Sequence, residues 1–125
     1  MSKTILLTIL ALIVAGYAFA ADRQAQQANE LRIKNITTQQ AKELYLKPDH
    51  LLLDVRTLEE YQERHIEPSV LIPLQELESR YQELPKDKTI LVICRSGNRS
   101  LKAIEILQKY GFTQLYNVQG GINAW

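Results

Sequence analysis

The chain has 125 residues, with 15 Lys and Arg against 14 Asp and Glu, and it contains one cysteine. This length suits a single domain, and 46% apolar with 23% charged residues is typical of a globular protein rather than a disordered chain. A net charge of +1 gives no reason to expect nucleic acid as a partner. A single cysteine excludes an internal disulfide.

The first twenty residues have the pattern of an export signal. Lys3 precedes an apolar run from Ile5 to Ala15, and Ala18-Phe19-Ala20 has the small residues of a signal peptidase site. We therefore predict that residues 1–20 are a cleaved signal peptide and that the mature chain is exported to the periplasm. The alternative is an uncleaved anchor in the inner membrane, because the apolar run approaches the length that spans a bilayer.

Residues 21–34 are predicted to be a linker or a marginal helix, because they are rich in Gln, Ala and Asn. The domain is expected to occupy residues 35–125. Thr38 is predicted to cap its first helix. The apolar run Leu51–Leu53 then predicts a short strand that ends at Asp54.

Further helices and strands alternate along the chain. Thr57-Leu58-Glu59-Glu60 has the sequence of a capping box, which opens a short helix. Val70–Ile72 predicts the next strand, and a short helix is expected around Gln75–Glu83. Lys88–Ile93 predicts the strand before the cysteine.

The last predicted elements complete a layered fold. A helix with a wide apolar face follows the cysteine, Gly111 suits its C′ position, and Leu115–Val118 predicts a final strand. Strands that are apolar on both faces and separated by helices are typical of parallel sheets. We expect an α/β fold with a central, mainly parallel sheet of about five short strands, flanked by helices on both faces.

The only cysteine lies in the segment Cys94-Arg95-Ser96-Gly97-Asn98-Arg99-Ser100, between a strand and a helix. Backbone N–H groups converge at such a helix start, and the helix dipole favours negative charge there. Gly97 permits a tight turn around an anion, and Ser96 and Ser100 supply hydroxyl donors. The pattern predicts a reactive thiolate rather than a buried inert thiol.

Charged side chains near the cysteine are expected to support it. Arg99 is predicted to point into the loop or to form a bidentate pair with a carboxylate, for which Asp54 is the candidate. Arg56 is expected to form a local ion pair with Glu60. Arg95 either binds the substrate directly or steers anions from the surface.

Four segments in this order resemble the signatures of the rhodanese family, and the resemblance covers the domain from about Asn35. They are Asp54-Val55-Arg56 with Glu59-Glu60-Tyr61 and His65-Ile66, the segment Val70 to Leu74, the loop from Cys94 to Ser100, and Gly120-Gly121-Ile122-Asn123-Ala124-Trp125. The resemblance implies a rhodanese-like fold.

The resemblance also implies an enzyme, a thiosulfate sulfurtransferase. Such an enzyme moves sulfane sulfur from a donor such as thiosulfate to a thiophilic acceptor, cyanide or a thiol, through a persulfide on the catalytic cysteine. It implies small-molecule partners, no cofactor and no metal. A monomer is expected, with membrane contact only through the N-terminal segment. The implied catalytic residue is Cys94, the substrate-binding residues are Arg95, Ser96, Gly97, Asn98, Arg99 and Ser100, and the supporting residues are Asp54 and Arg56.

The same residues are also compatible with functions other than an enzyme. A non-catalytic sulfur carrier or redox sensor would acquire sulfur or oxygen on Cys94 without efficient turnover. An interaction module would carry the thiol incidentally. Phosphatase chemistry is disfavoured, because four residues separate Cys94 from Arg99 and Ile93 stands where tyrosine phosphatases have a histidine. His65 is expected to be structural.

Overall fold

The computed structural model describes residues 3–30 and 33–125, which form two compact units that divide between residues 32 and 33. The first unit is one helix, α1 (Lys3–Glu30). Its portion Lys3–Ala25 is long and apolar enough to cross a membrane, and none of that portion is buried. A helix rises about 1.5 Å per residue and a bilayer core is about 30 Å thick, so this portion fits a signal peptide or an anchor.

The helix α1 also covers most of the segment expected to be a linker. It continues from residue 21 to Glu30, the last residue described before the gap at 31–32. The predicted boundaries at residues 20 and 34, and cleavage of the signal, stay predictions.

The second unit alternates short strands with helices. In chain order these are β1 (Lys34–Ile36), α2 (Thr38–Leu44), β2 (His50–Asp54), α3 (Leu58–Glu63), β3 (Val70–Leu71), α4 (Leu77–Arg80) between the 3₁₀ turns Leu74–Glu76 and Tyr81–Glu83, β4 (Thr89–Ile93), α5 (Asn98–Lys109), β5 (Leu115–Val118) and α6 (Gly121–Ala124).

The strands form one five-stranded sheet in the order β1-β5-β4-β2-β3, and every neighbouring pair is parallel. This confirms the predicted α/β class with a parallel sheet of five short strands. The edge strand β1 was not among the strands located from the sequence. It pairs with β5 in register, with Asn35 opposite Asn117.

Both faces of the sheet are covered, as predicted, because alternate residues of each strand point to opposite faces. On one face, Leu53 and Val92 pack in a core with α5 residues that include Ile104. On the other face, Leu52 and Leu91 pack in a second core. The second core also includes Ala41 of α2 and Ile122 of α6.

The start of α2 differs from the prediction by one residue. Thr37, not Thr38, is the cap: its hydroxyl accepts the N–H of Gln40 at 3.1 Å, and the Gln40 side chain accepts the N–H of Thr37 at 2.9 Å. The hydroxyl of Thr38 instead donates to the carbonyl of Ala124 at 3.0 Å. Thr37 and Thr38 are both suitable cap residues by type. Only Thr37 is followed three residues later by a glutamine, Gln40, which completes a capping box.

Candidate active site

Cys94 directly follows β4, and Asp54 is the last residue of the neighbouring strand β2. Asp54 lies opposite Ile93 in the parallel ladder, so both residues lie at the carboxyl edge of the sheet. Ligands of such folds bind at this edge. The structure therefore places Cys94 and Asp54 at one edge of the sheet.

The sulfur of Cys94 lies inside a cradle formed by its own loop. The Gly97 N–H donates to Sγ at 3.1 Å, and the Ser100 hydroxyl lies 3.4 Å from Sγ. The cysteine is 1% exposed, and Ser100 is fully buried. Gly97 and Ser100 thus both contact the thiol.

Opposing effects act on the pKa of the Cys94 thiol. Burial raises the pKa, because it disfavours the charged thiolate. Hydrogen bonds from the Ser100 hydroxyl and from the backbone N–H groups of Ser100, Gly97 and Ser96 lower it. The hydrogen bonds prevail, so the pKa of Cys94 lies below its ordinary value and the thiolate is favoured.

Gly97 allows the loop to turn its N–H groups toward the sulfur. It caps α5 with φ +106°, a left-handed conformation that side chains with a Cβ rarely adopt. A Cβ on Gly97 would also lie 3.4 Å from the backbone nitrogen of Gly120. This position therefore favours glycine.

The backbone carbonyls at the start of the cysteine loop point away from the sulfur-facing N–H groups and accept hydrogen bonds from the backbone of α6. The N–H of Ile122 donates to the Cys94 carbonyl at 2.9 Å, and the N–H of Asn123 donates to the Arg95 carbonyl at 3.1 Å. A Cβ on Gly121 would come within 2.6 Å of the Arg95 carbonyl, so only glycine fits. In the sequence, Gly120 and Gly121 stand out only as part of a segment that resembles a family signature, and their role in holding the cysteine loop was missed.

Arg99 pairs with Glu60 and not with the predicted Asp54. Nη1 and Nη2 of Arg99 donate to Oε1 and Oε2 of Glu60 at 2.7 and 2.8 Å. The hydrogen bond from Arg99, which outweighs partial burial, lowers the pKa of Glu60 to about 2, and Thr57 assists. Glu60 reaches Arg99 because the capping box at Thr57 orients its carboxylate at the start of α3.

Asp54 pairs instead with Arg56, and the predicted ion pair between Arg56 and Glu60 is wrong. Nε of Arg56 donates to Oδ1 of Asp54 at 3.0 Å and Nη2 donates to Oδ2 at 2.8 Å. Arg56 also donates to the backbone carbonyls of Glu60 at 3.3 Å and Arg64 at 2.7 Å. The side chain of Arg56 reaches the carboxylate two residues earlier in the chain and bonds to both of its oxygens. Asp54 therefore already has a bidentate arginine partner and is not paired with Arg99.

Three of the predicted substrate-binding residues are exposed beside the thiol: Arg95, Ser96 and Asn98. Within residues 3–30 and 33–125, Arg95 forms no ion pair, whereas Arg56 and Arg99 are each paired with a carboxylate. An anion that approaches Cys94 therefore meets an unneutralised cation at Arg95.

Asn117 of β5 is a polar contact of the site that sequence reasoning missed. The Ser100 hydroxyl donates to Oδ1 of Asn117 at 2.5 Å, and Asn117 is 2% exposed. A polar residue inside the otherwise apolar strand Leu115–Val118 is the signal that marks it, because buried polar groups need partners.

His65 lies in a local structural cluster, in agreement with its predicted structural role. Its ring stacks on Tyr61 at a centroid distance of 3.9 Å, its Nδ1 lies 2.7 Å from the Tyr61 carbonyl, and its Nε2 bonds to Glu67. The hydrogen bond to Glu67 raises the pKa of His65. The imidazole is thus held by partners other than the thiol.

Comparison with known proteins places these features in a family. The model of the rhodanese-like domain matches residues 37–125. A proposed sulfur carrier protein of Bacillus subtilis is 45% identical over 74 residues, but the chain spans only 40% of its length. The thiosulfate sulfurtransferase of Coxiella burnetii is 32% identical over 92 residues, which cover 74% of this chain and 86% of that protein.

A solved structure agrees with the fold. The rhodanese-related protein of Thermoplasma volcanium superposes with a TM-score of 0.67 at 36% identity, over 74% of this chain and 89% of that one. The fold of this chain is thus shared with a rhodanese-related protein. The chain belongs to the rhodanese-like domain family.

Proposed function

We propose that this protein is a sulfurtransferase that moves sulfane sulfur from a donor such as thiosulfate to a thiophilic acceptor, through a persulfide on Cys94. One observation carries the proposal: the Cys94 sulfur is cradled by N–H and hydroxyl donors that lower its pKa. Family membership and the name of the Coxiella burnetii relative support sulfur transfer.

The reaction has two steps without net oxidation of the protein. The Cys94 thiolate attacks the outer sulfur of thiosulfate, the sulfur–sulfur bond of thiosulfate breaks, and sulfite leaves with the bonding electron pair. An acceptor such as cyanide then attacks the outer sulfur of the persulfide, which forms thiocyanate and regenerates the thiolate. This is covalent catalysis by a preformed nucleophile, and it needs no general base.

The loop residues have distinct roles in this proposal. The N–H groups around Gly97 stabilise the negative sulfur before and after loading. Arg95, with Ser96 and Asn98 beside it, attracts the dianionic donor and the departing sulfite. Arg99 acts through its ion pair with Glu60, which fixes the first turn of α5.

Mass measurement of the intact protein after incubation with thiosulfate tests the first step. The wild-type chain is expected to gain one sulfur atom, and Cys94→Ser is expected to gain none. Ser79→Ala is the matched control, because it removes an exposed hydroxyl outside the cysteine loop and leaves the thiol in place. Equal mass gain in wild type and Cys94→Ser would refute the persulfide.

A sulfur carrier is the second candidate, favoured by the name of the Bacillus subtilis relative and by the 1% exposure of Cys94. A carrier acquires the persulfide but transfers it poorly to small acceptors. Thiocyanate production from thiosulfate and cyanide separates the two: steady turnover supports the enzyme, and a single turnover supports the carrier.

We also propose that α1 directs the chain to the periplasm, where it is cleaved after residue 20. The exposed apolar portion Lys3–Ala25 supports either cleavage or anchoring. N-terminal mass analysis of the protein made in a bacterial host distinguishes them. A mature chain that begins at Ala21 supports cleavage, and an intact Met1 in the membrane fraction contradicts it.

A further inference from the structure

A chain of hydrogen bonds leads from the cysteine to the surface of the domain. The Ser100 hydroxyl lies 3.4 Å from the Cys94 sulfur and donates to Oδ1 of Asn117 at 2.5 Å. Nδ2 of Asn117 in turn donates to Oδ1 of Asn35 at 2.9 Å. Asn117 is 2% exposed, whereas Asn35 is exposed on the edge strand β1.

The Ser100 hydroxyl has one proton, so it cannot donate to the sulfur and to Asn117 together. While it donates to Asn117, its contact with Cys94 is a hydrogen bond only if the thiol donates to Oγ. A thiolate or persulfide anion has no proton to donate and can only accept a hydrogen bond from the hydroxyl. While the hydroxyl donates to Asn117, the backbone N–H groups of Ser96, Gly97 and Ser100 stabilise the thiolate, and the hydroxyl adds its own hydrogen bond to the sulfur only when Asn117 releases it.

An amide side chain resolves this conflict, because it carries a donor at one end and an acceptor at the other. If Asn117 turns over, its Nδ2 donates to Ser100 and releases the hydroxyl proton toward the sulfur. Its Oδ1 then faces Asn35, whose exposed amide turns to donate. No proton leaves any of the three residues.

We propose that Asn117 is a positioning residue for Cys94, and that its amide, turned together with that of Asn35, decides whether the Ser100 hydroxyl donates to Asn117 or to the sulfur. The inference rests on Cys94 acting as a thiolate, which belongs to the proposed function. Its test uses alkylation, which needs no sulfur donor, so a failure here and a failure of sulfur transfer are distinguishable.

The variants used in the test leave the charged residues near the sulfur unchanged. Arg95 is adjacent in sequence, the Arg99–Glu60 pair lies on the first turn of α5 and on α3, and the Asp54–Arg56 pair lies at the end of β2. None of these residues is altered by changes at Asn35 or Asn117.

Replacement of Asn35, the exposed residue at the end of this chain of hydrogen bonds, gives the most direct test. In Asn35→Asp a carboxylate can only accept, so it holds Nδ2 of Asn117 toward itself and keeps Oδ1 on Ser100. The pH midpoint for alkylation of Cys94 by iodoacetamide is expected to rise by about half a unit to one unit, a threefold to tenfold loss of thiolate below the midpoint.

Two controls isolate this effect from simple charge. Lys34→Gln makes the same change in net charge at the adjacent exposed residue and is expected to leave the midpoint within about 0.2 units, because exposed charges are screened. Asn35→Ala removes the side chain without fixing the amide of Asn117, and the midpoint is expected not to rise.

A buried replacement supplies the opposite shift. Asn117→Leu has a similar shape but accepts no hydrogen bond, so the hydroxyl of Ser100 loses the acceptor that competes with the sulfur and the midpoint is expected to fall. In a Ser100→Ala background, Asn35→Asp is expected to have no effect. The proposal is overturned if Asn35→Asp matches Lys34→Gln, if its shift persists in the Ser100→Ala background, or if Asn117→Leu raises the midpoint.

Discussion

Two arginine–carboxylate pairs lie at the carboxyl edge of the sheet, and they differ in exposure and in the length of chain they join. Asp54 and Arg56 are two residues apart, with side chains 1% and 5% exposed. Glu60 and Arg99 are 39 residues apart, with side chains 28% and 32% exposed. The first pair completes the end of one strand, whereas the second connects α3 to the start of α5.

The difference shows that similar bidentate geometry serves two purposes. A buried pair is costly to break, because the remaining charge stays desolvated. A half-exposed pair contributes little to stability but restricts where its side chains and their helices lie. We therefore expect loss of the first pair to affect stability and loss of the second to affect activity.

The largest expected effect is on stability. Asp54→Asn leaves the buried guanidinium of Arg56 without its counter-charge, and the free energy of unfolding is expected to fall by about 3–5 kcal/mol. Urea denaturation measures this. Glu83→Gln is the control, because it breaks the exposed pair with Arg80 and is expected to cost less than about 1 kcal/mol. Equal losses for the two variants would contradict a structural role for Asp54.

The next effect is on catalysis. Glu60→Gln keeps an acceptor for the capping box but weakens the tether of Arg99, so the first turn of α5 loses a fixed position. Thiocyanate formation is expected to fall about tenfold, because small misplacements at a reacting centre are costly, while stability is expected to fall less than it does in Asp54→Asn. Glu59→Gln, one residue earlier and without an ion pair among the described residues, should retain full activity.

A smaller effect is expected in acid. The pKa of Glu60 is about 2 in the folded chain and 4.5 in its ordinary state, so the pair stabilises the fold fully above pH 4.5. Its contribution declines as the pH falls from 4.5 through about 2. Unfolding of wild type and Glu60→Gln across this range is expected to converge at the acid end. A constant difference would show that Glu60 stabilises the fold without its charge.

The smallest effect is the response to salt. At about 0.5 M salt the Debye length is shorter than 5 Å, so the half-exposed pair is screened and the buried pair is not. The stability difference between wild type and Glu60→Gln is expected to shrink, and that for Asp54→Asn is expected to stay constant. Equal salt dependence would remove the distinction between the pairs.

Sequence patterns located most of the fold, because β2, β4 and β5 are apolar runs and both Thr57 and Gly111 mark helix ends with specific chemistry. The edge strand β1 was not predicted, because Lys34 and Asn35 are exposed and its three residues show no apolar run. Its position comes from pairing with β5, which is a long-range contact.

The sequence predicted which residues lie at the site, but it did not predict which of their charged side chains pair with one another. The sequence places Asp54, Glu60 and both arginines near one edge, but several pairings are compatible with that placement. The pairing depends on side-chain reach: Arg56 folds back on Asp54, and the capping box turns Glu60 toward Arg99. Asn117 was missed because one polar residue in a strand does not reveal which buried hydroxyl it faces.

The contact between Gly121 and the carbonyls of Cys94 and Arg95 has a consequence for the time course of catalysis. Because α6 holds these carbonyls, the amides facing the sulfur are oriented during folding rather than in each turnover. Empty and sulfur-loaded protein are therefore expected to share one backbone conformation around the thiol. The rate of sulfur exchange would then depend on how the donor and acceptor arrive and not on any rearrangement of the loop.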